Sequence, residues 1–304
     1  MNVLLRRLIS VVVLLLISSL ALASIAPLFL ITRDILASGV EAIARIGPAF
    51  FTALPPSPND ATGGVGPALV GTLFMSALAS LLGFAVGFPV GVYIGEYRHE
   101  LAAKIARINV NVLVEFPTIT IGLYVYAISE SVAPSLDRSL SPFLQWASGV
   151  PVLGYFLGPI SVFNAYAGAA ALTLIMVPYV ALFTASAYSS AERNLREAAY
   201  AIAGDERKAL FVVMRKALGR SVLTAFLLGS AKVAGETAPL LFTSAFNNFY
   251  GPFTQYTASI PVLIYRFATT PFPIYKEVAY GAAAVLLLIV FALFISARAL
   301  SRHA

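Results

Sequence analysis

The sequence predicts an all-α integral membrane protein with six transmembrane helices, and three observations carry that reading. Of the 304 residues, 59% are hydrophobic and only 11% are charged, against about 25% charged in an ordinary soluble domain. Six windows, roughly 8–31, 67–95, 108–129, 165–188, 221–244 and 278–297, are apolar over about 20 residues, the length a helix needs to cross the hydrocarbon core. The apolar runs are continuous rather than alternating, which disfavours a β-barrel.

The first window follows Arg6 and Arg7 and is longer than the 7–15 apolar residues of a signal peptide, so it reads as a retained span. With a cytoplasmic N-terminus, the inside segments hold fourteen Lys and Arg and the outside segments five, Arg33, Arg45, Arg138, Arg266 and Lys276. The positive-inside rule therefore puts both termini in the cytoplasm of a multi-pass cell-membrane protein. The net charge of +6 reports this orientation and contact with lipid, and nucleic acid is not an expected partner. There is no cysteine, and the two histidines, His99 and His303, are far apart in sequence, so no metal site is expected. The outside segments 32–66 and 130–164 carry turn signals, "PPSPND" and "TGGVG" in the first. The second holds Trp146 and is expected to form short interfacial helices.

The cytoplasmic segment 189–219 reads as a helical hairpin. Ser189 and Glu192 fit a capping box opening a helix to about residue 202. Gly204 ends it, Asp205 caps a second helix, and Gly219 is its expected stop. Leu210, Met214 and Leu218 recur at four-residue spacing as an amphipathic stripe. The hairpin is either a docking element for a cytoplasmic partner or a helix pair resting on the lipid surface.

In the fifth window, "KVAGETAPLL" places Lys232 and Glu236 one helical turn apart. Each charge costs about 2.5–3.5 kcal/mol at the bilayer centre, and such residues normally face a solute pathway. Pro239 lacks an N–H, disfavours helical geometry at Ala238, and weakens the helix there. Lys232, Gly235, Glu236, Thr237 and Pro239 thus read as a pathway wall that offers an anion a cation and hydroxyls; the alternative is an ion pair that only sets packing. Glu115 either faces the same pathway or pairs with a basic residue at the interface. Thr118 and Thr120 either offer hydroxyls to oxyanion oxygens or bond to backbone carbonyls.

Two stretches carry a family resemblance. "REAAYAIAG", at residues 196–204, resembles the EAA loop of ABC importer permeases, with Glu197, Ala198 and Ala199 matching and Gly204 one place beyond the family glycine. "GETAPLLFTSAFNNF", at residues 235–249, closely resembles phosphate ABC transporter permeases of the PstA type, with Lys232 where an arginine is usual. "PVGVYIGEY", "FPTITIG" and "IPVLIYRFATTPF" agree more weakly. The resemblance implies a type I ABC importer permease (MetI-like) fold. It divides the chain into residues 1–65, an N-terminal transmembrane helix and extracytoplasmic loop, and residues 66–304, a permease core with the coupling hairpin 189–219.

It further implies a non-catalytic subunit of a phosphate importer, working with a PstC-type permease, an ATPase dimer and an extracytoplasmic phosphate-binding protein. Glu197, Ala198, Ala199 and Gly204 would then contact the ATPase, together with Leu210 and Met214 of the stripe. The chain has no G-x-x-x-x-G-K-[ST] loop, so ATP and magnesium are expected on the partner ATPase and no cofactor on this chain. The rival readings are a permease for sulfate or molybdate and a membrane enzyme acting on lipid-linked phosphate.

Overall fold

The computed structural model describes residues 3–301, with side chains described for residues 10–300; Arg302 and His303, and the side chains of Arg6 and Arg7, lie outside the described residues. All regular structure among the described residues is helical. In chain order, α1 (Val3–Ile46) passes into a 3-10 turn (Gly47–Phe51) and is followed by α2 (Gly66–Glu96), α3 (Leu101–Glu115) and α4 (Thr118–Ser148). Then come the short α5 (Leu153–Phe156) and the long α6 (Ala165–Ser189). The segment after α6 holds α7 (Arg193–Ala203), α8 (Glu206–Lys208), a π-helical turn (Ala209–Met214) and α9 (Arg215–Ala217). It leads into α10 (Gly219–Ala234), α11 (Ala238–Thr243), α12 (Ile260–Ala268) and α13 (Pro273–Ser301).

Five helical stretches among the described residues are long and apolar enough to cross a membrane: Ser10–Phe51, α2, α4, α6 and Pro273–Leu300. The other expected crossing, 221–244, is not one helix but two, α10 and α11, separated by a break at Gly235–Thr237. The expected crossing 108–129 straddles a second break, at Phe116-Pro117, and joins the end of α3 to the first part of α4.

Several expected boundaries move. α1 runs to Ile46, so the first expected outer segment leaves the helix at Gly47 rather than at residue 32. α4 continues past residue 130 to Ser148 through Pro134 and Pro142. Its serines bond within the helix (Ser131 to the Ala127 carbonyl, Ser135 to that of Val132), so the polar stretch satisfies itself without leaving helical geometry. Ser189 is the last residue of α6 and its hydroxyl donates back to Ser186, so it caps nothing; α7 opens after Glu192 without a side-chain cap. Gly219 is not a stop but the first residue of α10, the bend falling on Leu218. By contrast Gly204 closes α7 in the left-handed region at φ 63°, and the Asp205 carboxylate caps α8 by accepting from the Lys208 N–H.

The centre of the bundle is the contact between α2 and α6. Gly83, Gly87, Gly91 and Gly95 recur every fourth residue and line one face of α2. A Cβ at Gly87 would stand 2.7 Å from the Val177 carbonyl oxygen, and one at Gly91 2.5 Å from that of Ala181. Only bare backbone permits this approach, the small-residue packing that joins helices where no hydrophobic force separates lipid from side chain. α13 lies against the second half of α1, where Gly39 meets Tyr280 and Ala284, and against α10. The apolar residues from Val11 to Ile31 of α1 are exposed along their whole length.

These contacts sort the connections to two ends. At one end the 189–219 hairpin sits on the last turns of α2 and α6, and Thr224 of α10 donates to the Ala297 carbonyl near the end of α13. At the other, segments 47–66, 150–164 and 246–259 gather, with the Tyr250 hydroxyl donating to the Thr52 carbonyl and the Phe253 N–H to that of Tyr155. Asn164 begins α6 there by accepting from the Ala167 N–H.

Gly87→Leu is expected to lose about 1–3 kcal/mol through overpacking, measured as a lower thermal unfolding midpoint in detergent. Gly219→Ala, where a Cβ meets nothing within 4 Å, is expected to keep or raise that midpoint.

Candidate functional site

α10 ends where its last turn cannot continue. The Pro239 ring would collide with the carbonyl four residues earlier, at Gly235, and Gly235 itself has a weak helical preference. The chain leaves the helix at Gly235, turns through Glu236 and Thr237, and re-enters it at Ala238. Ala238 is thus the first residue of α11 and not an extended residue, and Pro239 occupies an opening position where a missing N–H costs nothing. Gly122 of α4 packs directly on this turn: a Cβ there would lie 2.6 Å from the Pro239 Cα.

Lys232, in the last turn of α10, and Glu236, in the break, form an ion pair, Nζ to Oε1 2.5 Å. The glutamate is buried, with 10% of its side chain accessible, whereas the lysine keeps 42%. The Lys232 ammonium also stands 5.8 Å from the centre of the Tyr179 ring on α6. Gly235 is exposed, and no atom lies within 4 Å of the Cβ it lacks. The geometry is a cation anchored from below by a buried carboxylate and open above.

The hydroxyls near the two breaks differ from those elsewhere. Thr72, Thr173, Thr224 and Thr243 each donate to the carbonyl four residues back in their own helix. Thr118, Thr120 and Thr237 have no hydrogen-bond partner for their hydroxyls among the described residues. All three stand at the start of a helix, where no preceding turn offers a carbonyl on the same face. Thr118 is half-buried one turn before Gly122, on the face that meets α11, and Thr120 is exposed. Glu115, exposed at the end of α3, has no ion-pair partner among the described residues. The structure therefore brings Lys232, Gly235, Glu236, Thr237 and Pro239 to one break and packs the start of α4 against it, while Glu115 stands at the second break.

At the hairpin the expected residues divide. Ala199, Leu210 and Met214 are buried against the membrane bundle and present no surface. Glu197 and Ala198 are exposed, Glu197 pairing with Arg193 at 2.6 Å. Gly204 is exposed at the turn, and beside it Ile202 keeps 77% of its surface accessible, an apolar side chain that sequence reasoning did not single out.

Sequence reasoning also missed what holds the hairpin. Glu96, at the last position of α2, receives Arg196 Nε at 2.9 Å and the Tyr200 hydroxyl at 3.3 Å. Arg196 also donates to the Tyr188 carbonyl at 3.0 Å, and the buried Tyr188 hydroxyl donates to the Leu210 carbonyl at 2.9 Å. The Tyr97 hydroxyl donates to Glu206. Burial, with Glu96 and Glu206 beside it, pushes the Tyr200 hydroxyl up to about 12, and the Glu206 hydrogen bond followed by burial raises Tyr97 further, so both remain neutral donors at ordinary pH. One signal for this cluster was available: a carboxylate at a helix C-terminus opposes the macrodipole and needs a cation nearby.

No group of three or more His, Asp or Glu among the described residues is arranged to hold a metal. Residues 87–304 match the family described as binding-protein-dependent transport system inner membrane component. Three relatives extend the likeness. A probable phosphate transport system permease protein PstA of Methanocaldococcus jannaschii is 32% identical, over 93% of this chain and 90% of its own length. The phosphate transport system permease protein PstA of Haemophilus influenzae is also 32% identical, over 90% of this chain and 85% of its own. That of Yersinia pestis is 31% identical, over 82% and 76%. Among solved structures, a chain of the MetNI methionine ABC transporter in inward facing conformations aligns with a TM-score of 0.52 at 17% identity, covering 77% of this chain and 94% of its own. That likeness concerns the fold.

Glu96→Ala removes a charge-assisted bond, worth about 1.5–3 kcal/mol, from the hairpin's seat. Hydrogen exchange in residues 193–203 is expected to rise roughly ten- to a hundredfold, with exchange in α2 and α6 unchanged.

Proposed function

The chain belongs to the family of binding-protein-dependent transport system inner membrane components, and on that premise we propose that it is the permease subunit of an ATP-driven phosphate importer. Phosphate is the solute named for the relatives above, and the Lys232–Glu236 break is the observation that carries the assignment to this chain. An ion pair serving only as a packing register would bridge two helices. This one ties the last turn of α10 to the break that follows it, leaves its cation accessible, and has the unbonded Thr237 hydroxyl next in the chain. That is a site at which a hydrated oxyanion exchanges water for a cation and hydrogen-bond donors.

The roles follow from the chemistry of each group. Lys232 attracts the anion and Glu236 fixes the ammonium, keeping the attraction below that of a bare cation so the anion can leave. Thr237, Thr118 and Thr120 donate to its oxygens. Gly235 leaves the wall open, and Pro239, seated on Gly122, holds the break in place. Glu115, at the second break, faces the same pathway. A second permease of the PstC type supplies the opposite wall. The hairpin end is cytoplasmic, as are both termini, in keeping with the excess of Lys and Arg at that end.

Two copies of a cytoplasmic ATPase, which bind ATP and magnesium, dock on the exposed side of α7 with Glu197, Ala198 and Ile202. Ala199, Leu210 and Met214 serve from within, fixing the hairpin to the bundle. A push on α7 passes through Arg196 and Glu96 to α2, and through Leu218 to α10 and its break. An extracytoplasmic binding protein delivers phosphate at the opposite end.

In a reconstituted complex, Lys232→Ala is expected to reduce phosphate uptake to background with assembly intact, and Lys232→Arg to keep a measurable share. Excess sulfate is expected to leave wild-type uptake unchanged. Normal uptake by Lys232→Ala would reduce the pair to a structural device, and competition by sulfate would widen the substrate to other oxyanions.

A further inference from the structure

At the end of the bundle opposite the hairpin, a cavity of about 560 Å³ opens between the segment after α11, the end of α12 and the start of α13. Among the described residues Arg266 is the only charged side chain lining it, and Asn247, Asn248 and Thr270 add polar groups. The Arg266 guanidinium lies 4.6 Å from the centre of the Phe246 ring. That ring packs on Phe267, which in turn packs on Tyr275, so the guanidinium rests on a braced aromatic shelf.

No carboxylate pairs with Arg266 among the described residues. Asp60, lining a cavity alongside, has its carboxylate engaged by the Ser57 N–H at 2.7 Å. Asn247 is held in place, its amide donating to the Tyr256 carbonyl and its oxygen accepting from the Phe249 N–H, whereas the Asn248 side chain has no partner among the described residues. The combination is a cation seated over an aromatic ring, with no carboxylate partner among the described residues, beside a free amide.

A guanidinium seated over a ring, with no carboxylate paired to it, keeps N–H donors in the forked geometry that matches two oxygens of one anion. The cavity also has a place along the route. α11, six residues and about 9 Å long, runs from the Lys232–Glu236 break to the turn at Ala245, whose φ of 55° swings the chain into Phe246 and the cavity. We propose that Arg266, with Asn248, forms an outer oxyanion site that receives free phosphate at the mouth and holds it one short helix away from Lys232. A cation at the mouth and a second at the break give the anion two successive stations, the outer one exposed and so screened by water, the inner one tempered by Glu236.

This inference rests on the chain being a phosphate permease with this end outward, and the experiment separates the two. The complete complex is placed in liposomes with phosphate-loaded binding protein outside, and phosphate uptake and ATP hydrolysis are measured together. Arg266→Gln is expected to lower phosphate imported per ATP roughly tenfold, while stimulation of hydrolysis by the loaded binding protein stays within about twofold. Arg266→Lys is expected to fall between, and Asn248→Ala, which spares the arginine, to move uptake in the same direction.

If hydrolysis and uptake are lost together and recover at excess binding protein, Arg266 grips a carboxylate of that protein instead, and the proposal is overturned. Unchanged uptake by Arg266→Gln and Asn248→Ala overturns it as well. If the wild-type complex imports no phosphate, the permease assignment itself falls and this site with it.

Discussion

Everything in the proposed pathway depends on one ion pair held at a helix break. Two charges at membrane depth would each cost about 2.5–3.5 kcal/mol, which the apolar residues of a sixteen-residue helix offset only in part. The protein meets that cost asymmetrically. Glu236 is buried beneath the turn, takes up the Lys232 ammonium and is covered by protein, while Lys232 reaches out past Gly235. A symmetric, fully buried pair would present nothing to a solute. Without the carboxylate, the lysine at this half-covered position would attract an anion more strongly. The break also opens a helix start, and Thr237 there lacks the carbonyl to which membrane threonines elsewhere in the chain are bonded. One structural event, Pro239 one turn after Gly235, thus positions the charges and exposes the Thr237 hydroxyl; the Phe116-Pro117 break does the same for Thr118 and Thr120.

The other end of the molecule is built on the opposite principle. There several ionisable groups are tied into one another. Glu96 accepts from Arg196 and Tyr200, Glu206 accepts from Tyr97, and the Tyr188 hydroxyl reaches the Leu210 carbonyl. The result is a hairpin fastened to α2 and α6, with one face of α7 exposed. The glycine contact between α2 and α6 extends that rigidity along the bundle. Regular α-helical hydrogen bonding lapses at the π-turn 209–214, the bend at Leu218 and the break at 235–237, on the stretch of chain that joins the hairpin to the ion pair.

Much of this was legible in the residues themselves. Lys232 and Glu236 stand alone in an apolar run at a spacing that lets them meet, and Gly235 with Pro239 announces the break. Gly204 and Asp205 announce the hairpin turn because only their local chemistry matters there. The capping box at Ser189 misled because α6 is held to its last turn from outside, Arg98 bonding the Ser189 carbonyl and Arg196 that of Tyr188. Leu210 and Met214 were visible as an apolar stripe, but periodicity does not say whether a stripe faces a partner or the protein's own core; here it faces the core. The Glu96–Arg196 seat and the Arg266 shelf were out of reach, because their partners lie in other segments, 100 residues apart for the first. Only the fold brings them together.

The absence of cysteine from the chain permits a direct measurement of whether the break is wetted. A single cysteine at Gly235, where a side chain meets no neighbouring atom within 4 Å, would be reacted in the reconstituted complex with a charged, membrane-impermeant thiol reagent. The account predicts reaction on this chain, slowed by phosphate and altered by trapping the ATPase with ATP. A cysteine that ignores the charged reagent and reacts only with a lipid-soluble one would place the break against hydrocarbon and contradict it.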